Sequence, residues 1–67
     1  MVYKINDAVR LVVDLPSEGL AAGAIGVVVE EFTQPTQAFE VEFINDKGDC
    51  IAQLALTPEQ ISRPLKT

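Results

Sequence analysis

Three groups of side chains in this sequence are of types that do chemistry: the acids Glu30, Glu31, Glu40 and Glu42, the single thiol Cys50, and the glycines Gly19, Gly23 and Gly26. Paired carboxylates carry out acid–base work in a desolvated cleft that separates their pKa values. They also hold divalent cations, or attract a basic partner. Glu30 and Glu31 end one apolar run, Glu40 and Glu42 sit in the next, and Thr33 to Gln37 supplies turn chemistry between them. A hairpin over that interval sets carboxylates side by side. With Phe32 opposite Phe39, Glu31 faces Glu40; one residue of slip brings Glu30 to Glu40 instead. Like charges directly opposed cost about 0.2–1 kcal/mol. A tolerated repulsion of this kind reads as a solvated face, a patch for a basic partner, or a weak divalent-cation site. Catalysis ranks last, because a domain this small has little volume for a cleft.

Cys50 follows Asp49, whose charge opposes thiolate formation, and there is no histidine in the chain to act as a general base. Nucleophilic catalysis by Cys50, or by Ser17 or Ser62, therefore has no activating partner. A lone cysteine without histidine also rules out an intrachain disulfide and a Cys/His zinc site. The expectation is a protein that is not an enzyme, with no cofactor and no metal ligands assigned. The three glycines lack the context of a phosphate loop, which opens a helix and usually carries a lysine. Here the β-branched run Val27-Val28-Val29 follows Gly26, so these glycines serve a tight loop and a close backbone approach.

These residues must be positioned by a chain of only 67 residues, 48% apolar, with five basic and ten acidic side chains and a formal charge of −5. That is a single domain spanning residues 1–67 with a thin core. Period-two alternation dominates and predicts strands at Ala8 to Val13, Val27 to Phe32, Ala38 to Ile44 and Cys50 to Leu56. A loop through Pro16 and Gly19 separates the first two, and Asn45 to Asp49 makes a hairpin turn. Thr57-Pro58-Glu59-Gln60 predicts one helical turn with a capping box, ahead of a short closing strand within Ile61 to Leu65. The fold expected is all-β: a small SH3-like barrel of four to five antiparallel strands with one helical turn before the last. Its core would be Val9, Leu11, Val28, Val41, Phe43, Leu54, Leu56 and Ile61. An open sheet with a terminal helix is the alternative, and contact between the first and last strands separates the two.

At Asp7-Ala8-Val9-Arg10-Leu11, Asp14-Leu15-Pro16, Gly19-Leu20, Gly23-Ala24-Ile25-Gly26-Val27-Val28 and Phe39-Glu40-Val41-Glu42-Phe43, the chain resembles a family of small bacterial proteins known as a domain of unknown function. The resemblance implies an SH3-like barrel and brings no site residues with it. Val27 stands where relatives tend to have threonine. The Gly-x-x-Gly-x-Val segment is also similar to KOW domains, small barrels that commonly meet RNA through basic loops. In this chain residues 11–46 hold no lysine or arginine, so no phosphate-tracking stripe crosses the middle.

The apolar excess carries the functional expectation. Val12, Val27, Val29, Ile44 and Ile51 compete for an interior that cannot hold them all, which suggests an exposed patch on the second and fourth strands. The chain is thus expected to be a non-enzymatic protein-interaction module, acting as a homo-oligomer or as an acidic accessory or antitoxin-type partner. Its candidate contact residues are Glu30, Glu31, Glu40, Glu42, Val27, Val29 and Ile51. A basic protein or a second copy is the expected partner, and the negative charge disfavours nucleic acid and anionic lipid. The alternatives are a KOW-like nucleic-acid-binding barrel or a weak divalent-metal module. No secretory signal pattern, no membrane-spanning run and an unpaired thiol place the chain in the cytoplasm by expectation.

Overall fold

The computed structural model describes residues 3–64. It is all-β: strands β1 (Ala8–Leu11), β2 (Ile25–Phe32), β3 (Ala38–Ile44), β4 (Cys50–Leu56) and β5 (Ile61–Ser62) form one antiparallel sheet in the order β4-β3-β2-β1-β5. The sheet curls into a half-barrel around a single core, with 3-10 turns at Pro16–Glu18 and Pro58–Gln60. The first and last strands touch, Arg10 lying opposite Ser62 and Leu11 opposite Ile61. Among the described residues no helix is long and apolar enough to cross a membrane.

β3 shows why the sequence curls this way. Its alternation buries Phe39, Val41 and Phe43 and turns Glu40 and Glu42 outward. Across the inner face Val28 pairs with Val41 and Val41 with Leu54, while Val9 lies opposite Gly26 and Gly26 opposite Phe43. Gly26 is a spacing requirement. A Cβ there would lie 2.6 Å from Val41 Cγ1, 2.9 Å from the Glu42 carbonyl oxygen and 3.0 Å from Phe43 Cδ1. The glycine lets β2 settle onto β3 where the sheet bends.

Seven of the eight expected core residues are buried, and the core adds Tyr3, Leu20 and Phe39. Leu54 is the exception. It faces inward and is half-buried on the edge strand β4, where no further strand covers it among the described residues. Tyr3 precedes every strand, and its ring meets Phe39 edge-on at 5.4 Å between centroids and 88° between planes. The Arg63 guanidinium sits 5.2 Å from the centre of the Tyr3 ring and 3.8 Å from the Asp7 carboxylate, which ties the two ends of the described chain together. Leu20 enters the core through its bridge with Leu15. The Ala22 amide closes the same loop by donating to Asp14 Oδ1 at 2.8 Å.

Some boundaries differ from expectation. β1 stops at Leu11: the Val12 amide still donates to the Gln60 carbonyl at 2.9 Å, but Gln60 belongs to the 3-10 turn and not to β5, and Val12 and Val13 are exposed. β2 begins at Ile25 rather than Val27. β5 covers only Ile61 and Ser62, and Leu65 lies outside the described residues. The turn before β5 is as expected: Pro58 is first, and the Thr57 amide donates to Gln60 Oε1 at 2.9 Å.

Candidate interaction surface

The outer face of the sheet is built by two β-bulges that strict alternation does not foresee. In β2 the register with β3 shifts between Val28 and Glu30, so Val29 is an extra residue without a partner. The shift exchanges the roles of the two glutamates that follow. Glu30 stands opposite Glu40 on the outer face, while Glu31 stands opposite Phe39, on the side that faces the core. This is the second of the two registers open from sequence, in which the carboxylate pair is Glu30 with Glu40. Glu31 instead accepts a hydrogen bond from Gln37 Nε2 at 3.5 Å and is separated from the other acids by the plane of the sheet. The second bulge lies where β3 meets β4. Phe43 pairs with Ala52 and Ile44 with Cys50, which makes Ile51 the extra residue.

The outer face then reads as three rows running across the strands. Arg10 lies opposite Ile25 at one end, and Ile44 pairs with Cys50 on the adjoining strands. Ala8, Val27, Glu42 and Gln53 form the middle row, and Glu30, Glu40 and Ala55 form the third. Ile25 and Ile44 are about half exposed, at 48% and 51%, and Ile51 is 52% exposed beside them. The result is an apolar strip bordered on one side by Glu30, Glu40 and Glu42. Gln53 Nε2 donates to Glu40 Oε2 at 3.3 Å and orients that carboxylate on the face. At the other border the Arg10 Nε atom is buried and makes no hydrogen bond among the described residues, with Ile25 and Ser62 as its cross-strand neighbours.

Of the candidate residues, the structure brings together Val27, Glu30, Glu40 and Glu42, with Ile51 close by across β3. Val27 and Ile51 are not on neighbouring strands, because β3 lies between β2 and β4, and Ile44 on β3 supplies the apolar continuity. Val29 is half-buried at its bulge and Glu31 lies on the other side of the sheet, so neither belongs to this face. Ile25 is the residue that sequence reasoning missed. Its signal was Gly26: a glycine admitted for close packing must point inward, which forces Ile25 and Val27 outward.

Cys50 is exposed, its thiol lies 3.7 Å from the Ala52 carbonyl oxygen as donor, and its pKa is pushed up. Partial desolvation by its neighbours is the leading cause, followed by the nearby Glu42 carboxylate, which favours the protonated thiol and repels the thiolate. Asp49, the acid adjacent in sequence, is not among the causes. Among the described residues, no three Asp, Glu or Cys side chains come together in a way that could hold a metal ion. An open depression at the β3–β4 turn is lined by Asn45, Asp46, Lys47 and Asp49. Its shape is set by the turn itself, in which the Lys47 and Asp49 amides both donate to Asn45 Oδ1.

Comparison with known proteins agrees with a family whose role is open. No curated protein and no solved structure matches the chain. A family model described as Domain of unknown function (DUF4926) matches residues 5–63, which takes in all five strands, both bulges and the whole outer face. The chain belongs to this DUF4926 family.

Proposed function

We propose that the chain is a non-enzymatic protein-interaction module on an SH3-like barrel, and that its outer face takes a basic protein partner in the manner of an accessory or antitoxin-type protein. One observation carries the reading: exposed Ile25, Val27 and Ile44 form a strip whose border is the acidic set Glu30, Glu40 and Glu42. An apolar centre with charged groups at its margin is the arrangement of a protein contact, where the centre supplies affinity and the rim supplies orientation and rate. The pairing of β1 with β5 supports the barrel reading, since it carries the curl through to the last strand.

The acidic pair fits this role. Glu30 and Glu40 repel each other in the free protein, and a Lys or Arg arriving between them removes that repulsion as it binds. The same charges work against a KOW-like grip on phosphates. Four basic residues fall within the described chain, at Lys4, Arg10, Lys47 and Arg63, and Arg63 is engaged with Asp7 and Tyr3.

The test is co-purification from the source cells with wild-type bait and with the Ile44→Lys and Glu40→Lys/Glu42→Lys variants, each first shown to melt like the wild type. The expected result is a basic protein retained by wild type, eluted by salt and lost with both variants. Recovery of the same proteins by all three baits overturns the reading. Self-association is a second reading, favoured by the uncovered edge of β4.

A further inference from the structure

We infer that β4 is the docking edge for a second copy of this chain, the two β4 strands pairing antiparallel about a two-fold axis at Leu54. This deepens the self-association reading and rests on it, and it uses a different surface from the apolar strip.

Three observations converge on this edge. Among the described residues β4 ends the sheet, so one side of a seven-residue strand carries backbone groups that no other described strand takes up. Edges of this length are usually protected by Lys, Pro or an inward-pointing charge. Cys50-Ile51-Ala52-Gln53-Leu54-Ala55-Leu56 contains none of these and no charged residue at all. The core is also incompletely covered at this edge. Ala52 and Leu54 both face inward and pack against the core, yet both are only half-buried.

A second copy fits the edge better than an arbitrary strand because β4 is complementary to itself. The run Ala52 to Leu56 pairs with β3 without a register break, and the bulge at Ile51 lies outside it. The centre of that run is Leu54. Antiparallel pairing about Leu54 sets Leu54 against its copy and Ala52 against Leu56 of the partner subunit, all on the inner face. On the outer face Gln53 meets Ala55 of the partner subunit. Inward positions meet inward positions throughout, as an isologous contact requires. Charge does not oppose it either. Glu40 on β3 lies in line with Glu42 of the partner subunit across three strand spacings, about 14 Å, which is beyond the screening length of about 8 Å at physiological salt. Five paired residues make a small interface, so the association is concentration-dependent and weak to moderate in strength.

Two experiments on the full chain test this. In sedimentation equilibrium the wild-type mass rises from 7.3 kDa toward twice that value with concentration. The Gln53→Lys/Ala55→Lys variant stays at the single-chain mass. Its lysines stand beside Glu42 and Glu40 in their own subunit, so at concentrations where the wild type is monomeric its melting temperature is not lowered. In a Cys50→Ser background, Gln53→Cys mixed with Ala55→Cys forms an intermolecular disulfide, and neither variant does so alone. Directly opposed residues lie within disulfide reach, whereas residues two places apart along the strand do not. A wild type that remains at 7.3 kDa up to about 1 mM overturns self-association as a whole. A wild-type dimer that resists the lysine pair but dissociates with Ile44→Lys overturns only the β4 edge. Self-crosslinking of Gln53→Cys overturns the Leu54 axis.

Discussion

Gly26→Ala removes nothing and adds one methyl group, so its effect reports directly on how closely β2 approaches β3. The added carbon would meet Val41 Cγ1 at 2.6 Å, the Glu42 carbonyl oxygen at 2.9 Å and Phe43 Cδ1 at 3.0 Å, each well inside ordinary contact. None of the three can move freely. Val41 and Phe43 are core residues with 0% and 1% exposure, the Val41 side chain is β-branched and stiff, and the Glu42 oxygen is part of the β3 backbone. The sheet must open by several tenths of an ångström where Val9, Gly26 and Phe43 meet, and overpacking of that kind costs about 2–3 kcal/mol. A chain of this length holds on the order of 3–10 kcal/mol in total. The expected fall in melting temperature is about 10–20 °C, followed by far-UV circular dichroism with urea unfolding as a check on the free energy. Gly19→Ala is the matched control: its Cβ meets nothing within 4 Å, but its φ of +71° costs about 1–2 kcal/mol. If Gly26→Ala melts within about 3 °C of wild type, the close approach of β2 and β3 is wrong, and with it the outward placement of Ile25 and Val27.

Other perturbations read other parts of the structure. Phe39→Ala deletes a fully buried ring and its edge contact with Tyr3, a loss of about 3–5 kcal/mol that leaves little folded protein at 37 °C by circular dichroism. Asp14→Ala frees the Ala22 amide in an exposed loop and lowers stability by about 0.5–1.5 kcal/mol in urea titration. Glu30→Gln relieves the pairing with Glu40 and raises stability by about 0.2–1 kcal/mol, and added salt stabilises the wild type more than the variant. Because the Cys50 thiol is held above its ordinary pKa, less thiolate exists at neutral pH. Iodoacetamide therefore alkylates it more slowly than a free cysteine, and Glu42→Gln speeds the reaction.

The parts of the fold that could be read from sequence are those where alternation and turn chemistry agree. β3 and β4 run from Ala38 to Ile44 and from Cys50 to Leu56, as the pattern requires, because Phe39, Val41 and Phe43 share a face and Asn45 to Asp49 contains its own turn hydrogen bonds. Thr57-Pro58-Glu59-Gln60 forms its turn for equally local reasons. What could not be read depends on tertiary context. Nothing in Val27-Val28-Val29-Glu30 marks Val29 as the bulged residue, yet that single insertion decides that Glu30 and not Glu31 meets Glu40. Tyr3 and Leu20 lie outside every strand and join the core through Phe39 and Leu15, which are distant in sequence or held by an isolated bridge. Leu54 has the pattern of a core residue but is only half-buried, on a strand that has no neighbour on one side among the described residues. Ile25 was legible in principle, since the inward demand of Gly26 fixes the parity of both its neighbours.

The most direct measurement on the outer face is a calorimetric titration of the co-purified partner with wild type and with Ile44→Lys. Ile44 is 51% exposed and at the centre of the strip, so burying it contributes about 1.5–3 kcal/mol to a complex and almost nothing to the fold. The predicted result is binding to the variant weaker by about tenfold or more, at an unchanged melting temperature, with wild-type affinity falling as salt is added. Equal affinity for wild type and variant would contradict the assignment of this face as the contact surface.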